Sequence, residues 1–140
     1  MTVYPDTSFL ISLYLPDRYS DEARRALAGS LSVYLTALHR AEWAHAVALH
    51  VARRQITEQQ ALRVTTAFEL HQRQGLWHSI AIPEAAYESW AALAQRPLPG
   101  TSTHTIDALH VACALELGAE RFWTFDQRQG ALARALGLAA

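Results

Sequence analysis

The chain contains no lysine, only one cysteine and no long hydrophobic run. Because Cys113 has no second cysteine to pair with, an intramolecular disulfide is excluded and a reducing compartment is expected. No apolar run approaches the roughly 20 residues that a transmembrane helix needs, and no basic leader precedes the first strand-like residues. We therefore expect a cytoplasmic protein that has no secretory signal and does not contact a membrane.

An excess of positive charge is also missing. The net charge is −1 at pH 7, which gives no overall attraction to nucleic acid and argues against a protein that coats it non-specifically. The same balance is compatible with a nuclease, which needs only a local basic rim. All 12 basic residues are arginines; arginine suits bidentate phosphate contacts, although GC-rich codon usage explains the same bias.

The length and composition indicate a folded unit with its own core. With 140 residues, of which 51% are hydrophobic, the chain is long enough to bury a core and has no stretch polar enough to be disordered. Residues 97–103 form the only linker-like stretch, and it is too short to separate two domains. We therefore predict a single domain over residues 1–140.

Strand-like and helix-like patterns alternate along the chain. Strands are predicted at residues 2–5, 31–36, 76–82 and 121–125. Helices are predicted at residues 7–15, 20–28, 38–54, 57–73, 83–94, 105–117 and 127–136. Ser20 is expected to be an N-cap, and Thr57 with Gln60 forms a capping-box pattern. The alternation predicts an α/β fold of three layers, α/β/α, with a mainly parallel central sheet of four or five strands.

Four acidic residues occupy positions near the edge at which such a sheet binds its ligands. Asp6 and Asp126 follow predicted strands, Asp107 lies at the start of a helix, and Glu42 lies early in another. Ligands of open α/β sheets bind outside the carboxyl ends of the strands. Carboxylates gathered there repel one another unless a cation neutralises them, and oxygen ligands favour Mg²⁺ or Mn²⁺ over zinc. The pattern therefore predicts metal-assisted hydrolysis, with a phosphodiester as the substrate that fits best.

Each of these acids also has a purely structural interpretation. Asp6 and Asp126 can be helix N-caps, each worth about 1 kcal/mol. Asp107 in a first helical turn is favoured by the helix dipole by roughly 0.3–1 kcal/mol. Glu42 can be a solvated residue on a helix surface. Spacing alone leaves both interpretations open.

Three segments resemble a known family. YPDTSFLISLYL, TALHRAEW and IDALHVACALELGAERFWTFDQR resemble, in this order, the PIN domain of VapC-type toxin ribonucleases. The resemblance implies a metal-dependent endoribonuclease that cuts single-stranded or looped RNA, a cognate VapB-like antitoxin that inhibits it, and a homodimer. Attack by water predicts 5′-phosphate and 3′-hydroxyl ends. The alternative function is a non-catalytic PIN-like module that binds RNA or protein.

The resemblance also assigns roles to single residues. The acidic quartet of the family falls on Asp6, Glu42, Asp107 and Asp126, as metal ligands and catalytic groups. Ser8 and Thr124 match the hydroxyl positions that support the ligands. The chain departs from the family pattern at Pro5, at Ser12, where a lysine is frequent, and at its end, where little of the usual final strand is present.

Three further side chains are candidates because of their spacing from the acids. His110 lies three residues after Asp107 and hence on the same helical face. It is expected either to support a carboxylate or to be a satisfied buried histidine without a catalytic role. Arg40 and Arg128 each lie two residues from an acid and are candidates for a phosphate-binding rim, or for solvated helix surface.

Overall fold

The central element is a four-stranded parallel sheet. A computed structural model describes residues 1–29 and 31–140. The strands are β1 (Thr2–Pro5), β2 (Ser32–Leu35), β3 (Trp77–Ser79) and β4 (Arg121–Trp123), in the order β3-β2-β1-β4. All neighbouring pairs are parallel, so every strand points its carboxyl end to the same edge. The predicted α/β class with a parallel sheet is confirmed.

Helices connect the strands and cover both faces of the sheet. In the described residues they are α1 (Thr7–Tyr14), α2 (Ser20–Ala26), α3 (Ala37–Ala52), α4 (Glu58–Arg73), α5 (Glu84–Leu93), α6 (Thr105–Glu116) and α7 (Gln127–Ala135). None of them combines the length and the apolar composition that crossing a membrane requires.

Two hydrophobic cores lie on opposite faces of the sheet. Tyr4 and Phe122 belong to one core, together with residues of α5, α6 and α7. Val33, Leu35 and Trp77 belong to the other, together with residues of α1, α3 and α4. Successive side chains of a strand point to opposite faces, so β2 contributes Val33 and Leu35 to one core while its Tyr34 packs against the other. This arrangement gives the three layers expected from the sequence.

The structure corrects several predicted boundaries. β3 ends at Ser79, three residues before the predicted end, and β4 ends at Trp123 instead of at residue 125. Ser20 is the first residue of α2 and not its N-cap, which is Tyr19. The capping box of Thr57 and Gln60 is confirmed by both of its hydrogen bonds.

The end of the chain pairs with the sheet at a single point. Ala139 forms an isolated parallel bridge with Arg121, and its carbonyl accepts a hydrogen bond of 2.8 Å from the Phe122 N–H. This bridge protects the outer edge of β4 without forming a fifth strand.

Candidate active site

Asp6 is the most deeply buried of the four acids, with 5% of its surface exposed. It directly follows β1 and caps α1, because its Oδ1 accepts the Phe9 N–H at 2.8 Å. Its Oδ2 accepts hydrogen bonds from the hydroxyls of Ser8 at 2.7 Å and Thr124 at 3.0 Å. The capping interpretation is therefore correct, but it accounts for only one carboxylate oxygen.

No arginine of the described residues pairs with the buried charge of Asp6. Burial raises the pKa of Asp6, and the hydrogen bonds from Ser8, the Phe9 N–H and Thr124, together with the charge of His110, oppose that rise. In the described part of the chain, no arginine forms an ion pair with this carboxylate. A carboxylate that is buried without a compensating charge is costly, so this position favours a cation.

Glu42 projects from α3 toward α1 and α6. Its Oε1 accepts a hydrogen bond of 2.8 Å from the Thr7 hydroxyl and a second one from His110 Nε2. Burial on its own would raise the pKa of Glu42, but the hydrogen bond and charge of His110, with the Thr7 hydroxyl, lower it. The side chain remains 30% exposed. Glu42 is therefore held as an ionised carboxylate that still reaches solvent.

His110 supports Glu42, and not the neighbouring Asp107. Its Nδ1 lies 3.0 Å from the Tyr4 hydroxyl, and its side chain is 1% exposed. Burial raises the pKa of Tyr4, so the phenol stays protonated and can donate to Nδ1. The other ring nitrogen, Nε2, donates to Glu42. The chain of hydrogen bonds from Tyr4 through His110 thus orients the Glu42 carboxylate.

Asp107 and Asp126 lie at the starts of α6 and α7. Asp107 Oδ2 accepts the Thr103 hydroxyl at 3.2 Å. Asp126 caps α7, since its Oδ1 accepts the N–H groups of Arg128 at 2.8 Å and Gln129 at 2.9 Å. The capping role of Asp126 is also confirmed, and, as at Asp6, the capping bonds use only one carboxylate oxygen. The other oxygen of each group is available to a ligand.

Gln129 is a site residue that the sequence did not reveal. It is 1% exposed; its Oε1 lies 2.8 Å from the Thr124 hydroxyl, whose one proton is shared between this oxygen and Asp6 Oδ2. Its Nε2 donates to the Asp107 carbonyl at 2.9 Å. Gln129 therefore ties the start of α6 to the turn that carries Asp126. The signal in the sequence is weak: a polar residue on the face of α7 that also carries Leu132.

A cleft of about 780 Å³ opens beside these residues. Ser8, Glu42 and Asp126 line it, and Ile11, Leu49, Ile106 and Phe125 are among its apolar lining residues. Asp6 lies behind Ser8, and Asp107 follows Ile106 in the chain.

The chemistry of the donors fits a hard divalent cation, because all four acids present carboxylate oxygens. However, within residues 1–29 and 31–140 no three histidine, cysteine, aspartate or glutamate side chains lie close enough together to hold a metal ion. The metal-binding role of the quartet stays a prediction.

The two candidate arginines lie in different places. Arg128 is exposed in the first turn of α7, directly beside the capping carboxylate of Asp126. Arg40 lines a second groove, of about 650 Å³, together with Trp43 and Phe68. Helical residues that are two positions apart in sequence are about 200° apart around the helix axis. Arg40 and Glu42 therefore face different sides of α3. Of the two candidate arginines, only Arg128 lies next to one of the four acids, Asp126.

Comparison with known proteins agrees with this architecture. A family model described as "PIN domain" matches residues 3–135, whereas no curated protein matches. The crystal structure of Mycobacterium tuberculosis VapC20, described as a Sarcin-Ricin loop cleaving toxin, is similar with a TM-score of 0.67 and 17% identity, covering 98% of this chain and 96% of that one. VapBC2 from Rickettsia felis, bound to a DNA fragment from its promoter, is similar with a TM-score of 0.66 and 15% identity, covering 99% and 96%. At these identities the structures demonstrate a shared fold, and the family match extends over almost the whole chain. The chain therefore belongs to the PIN domain family.

Proposed function

We propose that this protein is a VapC-type endoribonuclease that hydrolyses RNA with the help of Mg²⁺ or Mn²⁺. The observation that carries the proposal is the buried Asp6 carboxylate, which forms no ion pair with an arginine of the described residues and lies behind a cleft lined by Glu42 and Asp126. The PIN fold supports it, as does the similarity to VapC20, which is described as a toxin that cleaves the Sarcin-Ricin loop.

The four carboxylates would hold the metal. Asp6, Asp107 and Asp126 would ligate it, and Glu42 would do so directly or through water. When bound, a divalent ion polarises a phosphoryl oxygen and lowers the pKa of a coordinated water. The hydroxyls of Ser8 and Thr124 fix the orientation of Asp6 through the bonds to its Oδ2.

Glu42 is suited to a second role. It is held ionised by His110 and faces the cleft, so it can accept the proton of the attacking water in addition to, or instead of, ligating the metal. With water, and not the ribose 2′-hydroxyl, as the nucleophile and O3′ as the leaving group that takes up a proton, the products carry 5′-phosphate and 3′-hydroxyl ends.

The proposal includes two protein partners. A VapB-like antitoxin would cover the apolar side of the cleft, where Ile11, Leu49, Ile106 and Phe125 provide a surface that excludes water. The similarity to VapBC2 of Rickettsia felis supports such a pairing. A homodimer would use the exposed faces of α3 and α4.

The decisive experiment compares Asp6→Asn with Asp21→Asn. Asparagine caps helices as well as aspartate does, so Asp6→Asn keeps the bond to Phe9, removes the charge, and replaces the oxygen that accepts from Ser8 and Thr124 with an NH2 group. We expect cleavage of a single-stranded RNA with Mg²⁺ to fall at least about 100-fold, which corresponds to about 2.7 kcal/mol in the barrier. Asp21 is exposed on α2, and its replacement should leave the rate unchanged.

Metal dependence separates the enzyme from the alternative, a non-catalytic binding module. Addition of EDTA should stop cleavage, and Mg²⁺ or Mn²⁺ should restore it, with a 5′-phosphate on the product. RNA that is bound but never cut under any of these conditions would establish the binding module. Cleavage that persists at full rate in EDTA would refute the metal mechanism.

A further inference from the structure

A ladder of stacked side chains leads from the sheet to the rim of the cleft. Trp123 at the end of β4 stacks on Phe9, with 4.9 Å between ring centroids, and Phe9 stacks on Phe125 at 5.3 Å. Phe125 stacks in turn on Tyr19 at 4.3 Å and an interplanar angle of 6°. The Arg18 guanidinium lies 4.6 Å from the centroid of the Tyr19 ring. Arg18 therefore packs against the Tyr19 ring and forms the outer end of the ladder.

The loop that carries Arg18 and Tyr19 is fixed by hydrogen bonds. Asp17 Oδ1 accepts the Tyr19 N–H at 2.7 Å, and its Oδ2 accepts the Ser12 hydroxyl at 2.6 Å. The Asp17 N–H donates to Ser20 Oγ at 2.9 Å. Ser12, which stands where the family resemblance leads one to expect a lysine, thus anchors the loop that presents an arginine.

The position of Arg18 suits an anionic ligand. Asp17, Glu42 and Asp126 line the cleft, and no arginine is among its described lining residues, so RNA needs a cation at the rim. Arg18 lies between two lining residues, Asp17 and Tyr19, and is exposed. It donates one hydrogen bond, of 2.6 Å, to the Tyr19 hydroxyl. A guanidinium has five N–H donors, so most of them remain free for phosphate oxygens.

We propose that Arg18, oriented by Tyr19, binds a backbone phosphate of the RNA that lies across the cleft. The inference rests on the proposed ribonuclease function and adds a substrate-binding residue to it. Stacking on the ring and the bond to the phenol hold the guanidinium before RNA arrives, which reduces the entropy lost on binding. The cation–π contact and a phosphate contact are compatible, because one uses the face of the guanidinium and the other its edge.

The test compares Arg18→Gln with Arg25→Gln, a matched loss of an exposed arginine on α2 that does not line the cleft. We expect Arg18→Gln to raise KM for a single-stranded RNA about tenfold with little change in kcat, as loss of uniform binding does. The slope of log affinity against log salt should decrease by about 0.7, the value for one phosphate contact on a single strand. Arg25→Gln should alter neither quantity.

Two variants of the neighbouring residue test the orientation. Tyr19→Leu removes the stack but keeps the charge, so KM should rise while the salt slope stays close to that of the wild type. Tyr19→Phe keeps the stack but removes the hydroxyl, so its KM should lie between those of Tyr19→Leu and the wild type.

Three results for Arg18→Gln would overturn the phosphate contact. The variant could behave like Arg25→Gln, it could lower kcat alone, or it could lose affinity for RNA without a change in the salt slope. In each of these cases the wild type still cleaves RNA. A wild type that does not cleave RNA at all would instead refute the proposed function.

Discussion

Replacement of Gly100 by alanine should destabilise the protein through two separable effects. Gly100 has a φ of +77°, in the left-handed region. A Cβ atom there would lie 2.1 Å from the Arg128 carbonyl oxygen and 2.8 Å from the Leu132 nitrogen. Both of these are backbone atoms of α7, so neither can move away by rotation of a side chain.

The magnitude follows from a comparison with Gly118, which lies just beyond α6. Gly118 also has a positive φ, +65°, but no heavy atom of the described residues lies within 4 Å of its added Cβ. Gly118→Ala therefore incurs only the cost of the left-handed backbone, about 1–2 kcal/mol. Gly100→Ala incurs that cost and, in addition, about 1–3 kcal/mol for displacing the loop from α7.

Urea denaturation monitored by circular dichroism measures both free energies of unfolding. Gly100→Ala should be less stable than Gly118→Ala by about 1–3 kcal/mol, with the m-value unchanged. If the two variants lost the same stability, the close approach of the loop to α7 would be refuted. Since Thr103 of this loop donates to Asp107, we also expect Gly100→Ala to lose more cleavage activity than Gly118→Ala.

Two other substitutions test the hydrogen bonds around and behind the site. Gln129→Leu removes the buried links to Thr124 and the Asp107 carbonyl, so the free energy of unfolding should fall by about 1–3 kcal/mol, and RNA cleavage should weaken; full activity would contradict the positioning role of Gln129. Burial raises the pKa of Tyr14 to about 12 from 10.0, and its hydroxyl contacts His71 and the Trp77 indole. As the pH rises, Tyr14 therefore ionises in the unfolded chain before it does so in the folded protein. The stability that Tyr14 contributes is complete below pH 10 and is lost as the pH approaches 12. When the free energy of unfolding is measured at alkaline pH, Tyr14→Phe should lack this decline, and a pH profile equal to that of the wild type would contradict the prediction.

The sequence predicted the helices and strands well where local signals were strong. Thr57 and Gln60 marked the start of α4 through their capping box, and the apolar stretch before Asp6 marked β1. β3 was predicted too long because residues 76–82 are apolar enough for a strand. The pairing with β2 ends near Ser79, apart from the Ile80 N–H, which donates to the Leu35 carbonyl at 2.8 Å. Where pairing stops depends on the neighbouring strand, which a local pattern does not contain.

The candidate site was predicted in its residues more fully than in its geometry. The capping roles of Asp6 and Asp126 follow from local chain direction, and the structure confirms them. The contact between His110 and Glu42 joins residues 68 positions apart, so spacing along α6 placed His110 on the face of Asp107 but did not identify the carboxylate that it supports. Gln129 was missed because its partners, Thr124 and the Asp107 carbonyl, come together only when α6 and α7 pack. Arg40 was placed beside Glu42 by proximity in sequence, although the helix turns the two side chains apart.

The bond between Asp6 and Thr124 spans 118 positions of the chain, and this has a consequence for synthesis. β1 leaves the ribosome before β4, which supplies the neighbouring strand and leads into the turn with Asp126. Until β4 pairs with β1, the first acid has no contact with Thr124, and the last one is absent. A translating or prematurely terminated chain can therefore bury part of its hydrophobic surface but cannot assemble the cleft. On the proposed function, the activity would stay latent until β4 has left the ribosome and paired with β1, which gives an inhibitor made at the same time an interval in which to bind.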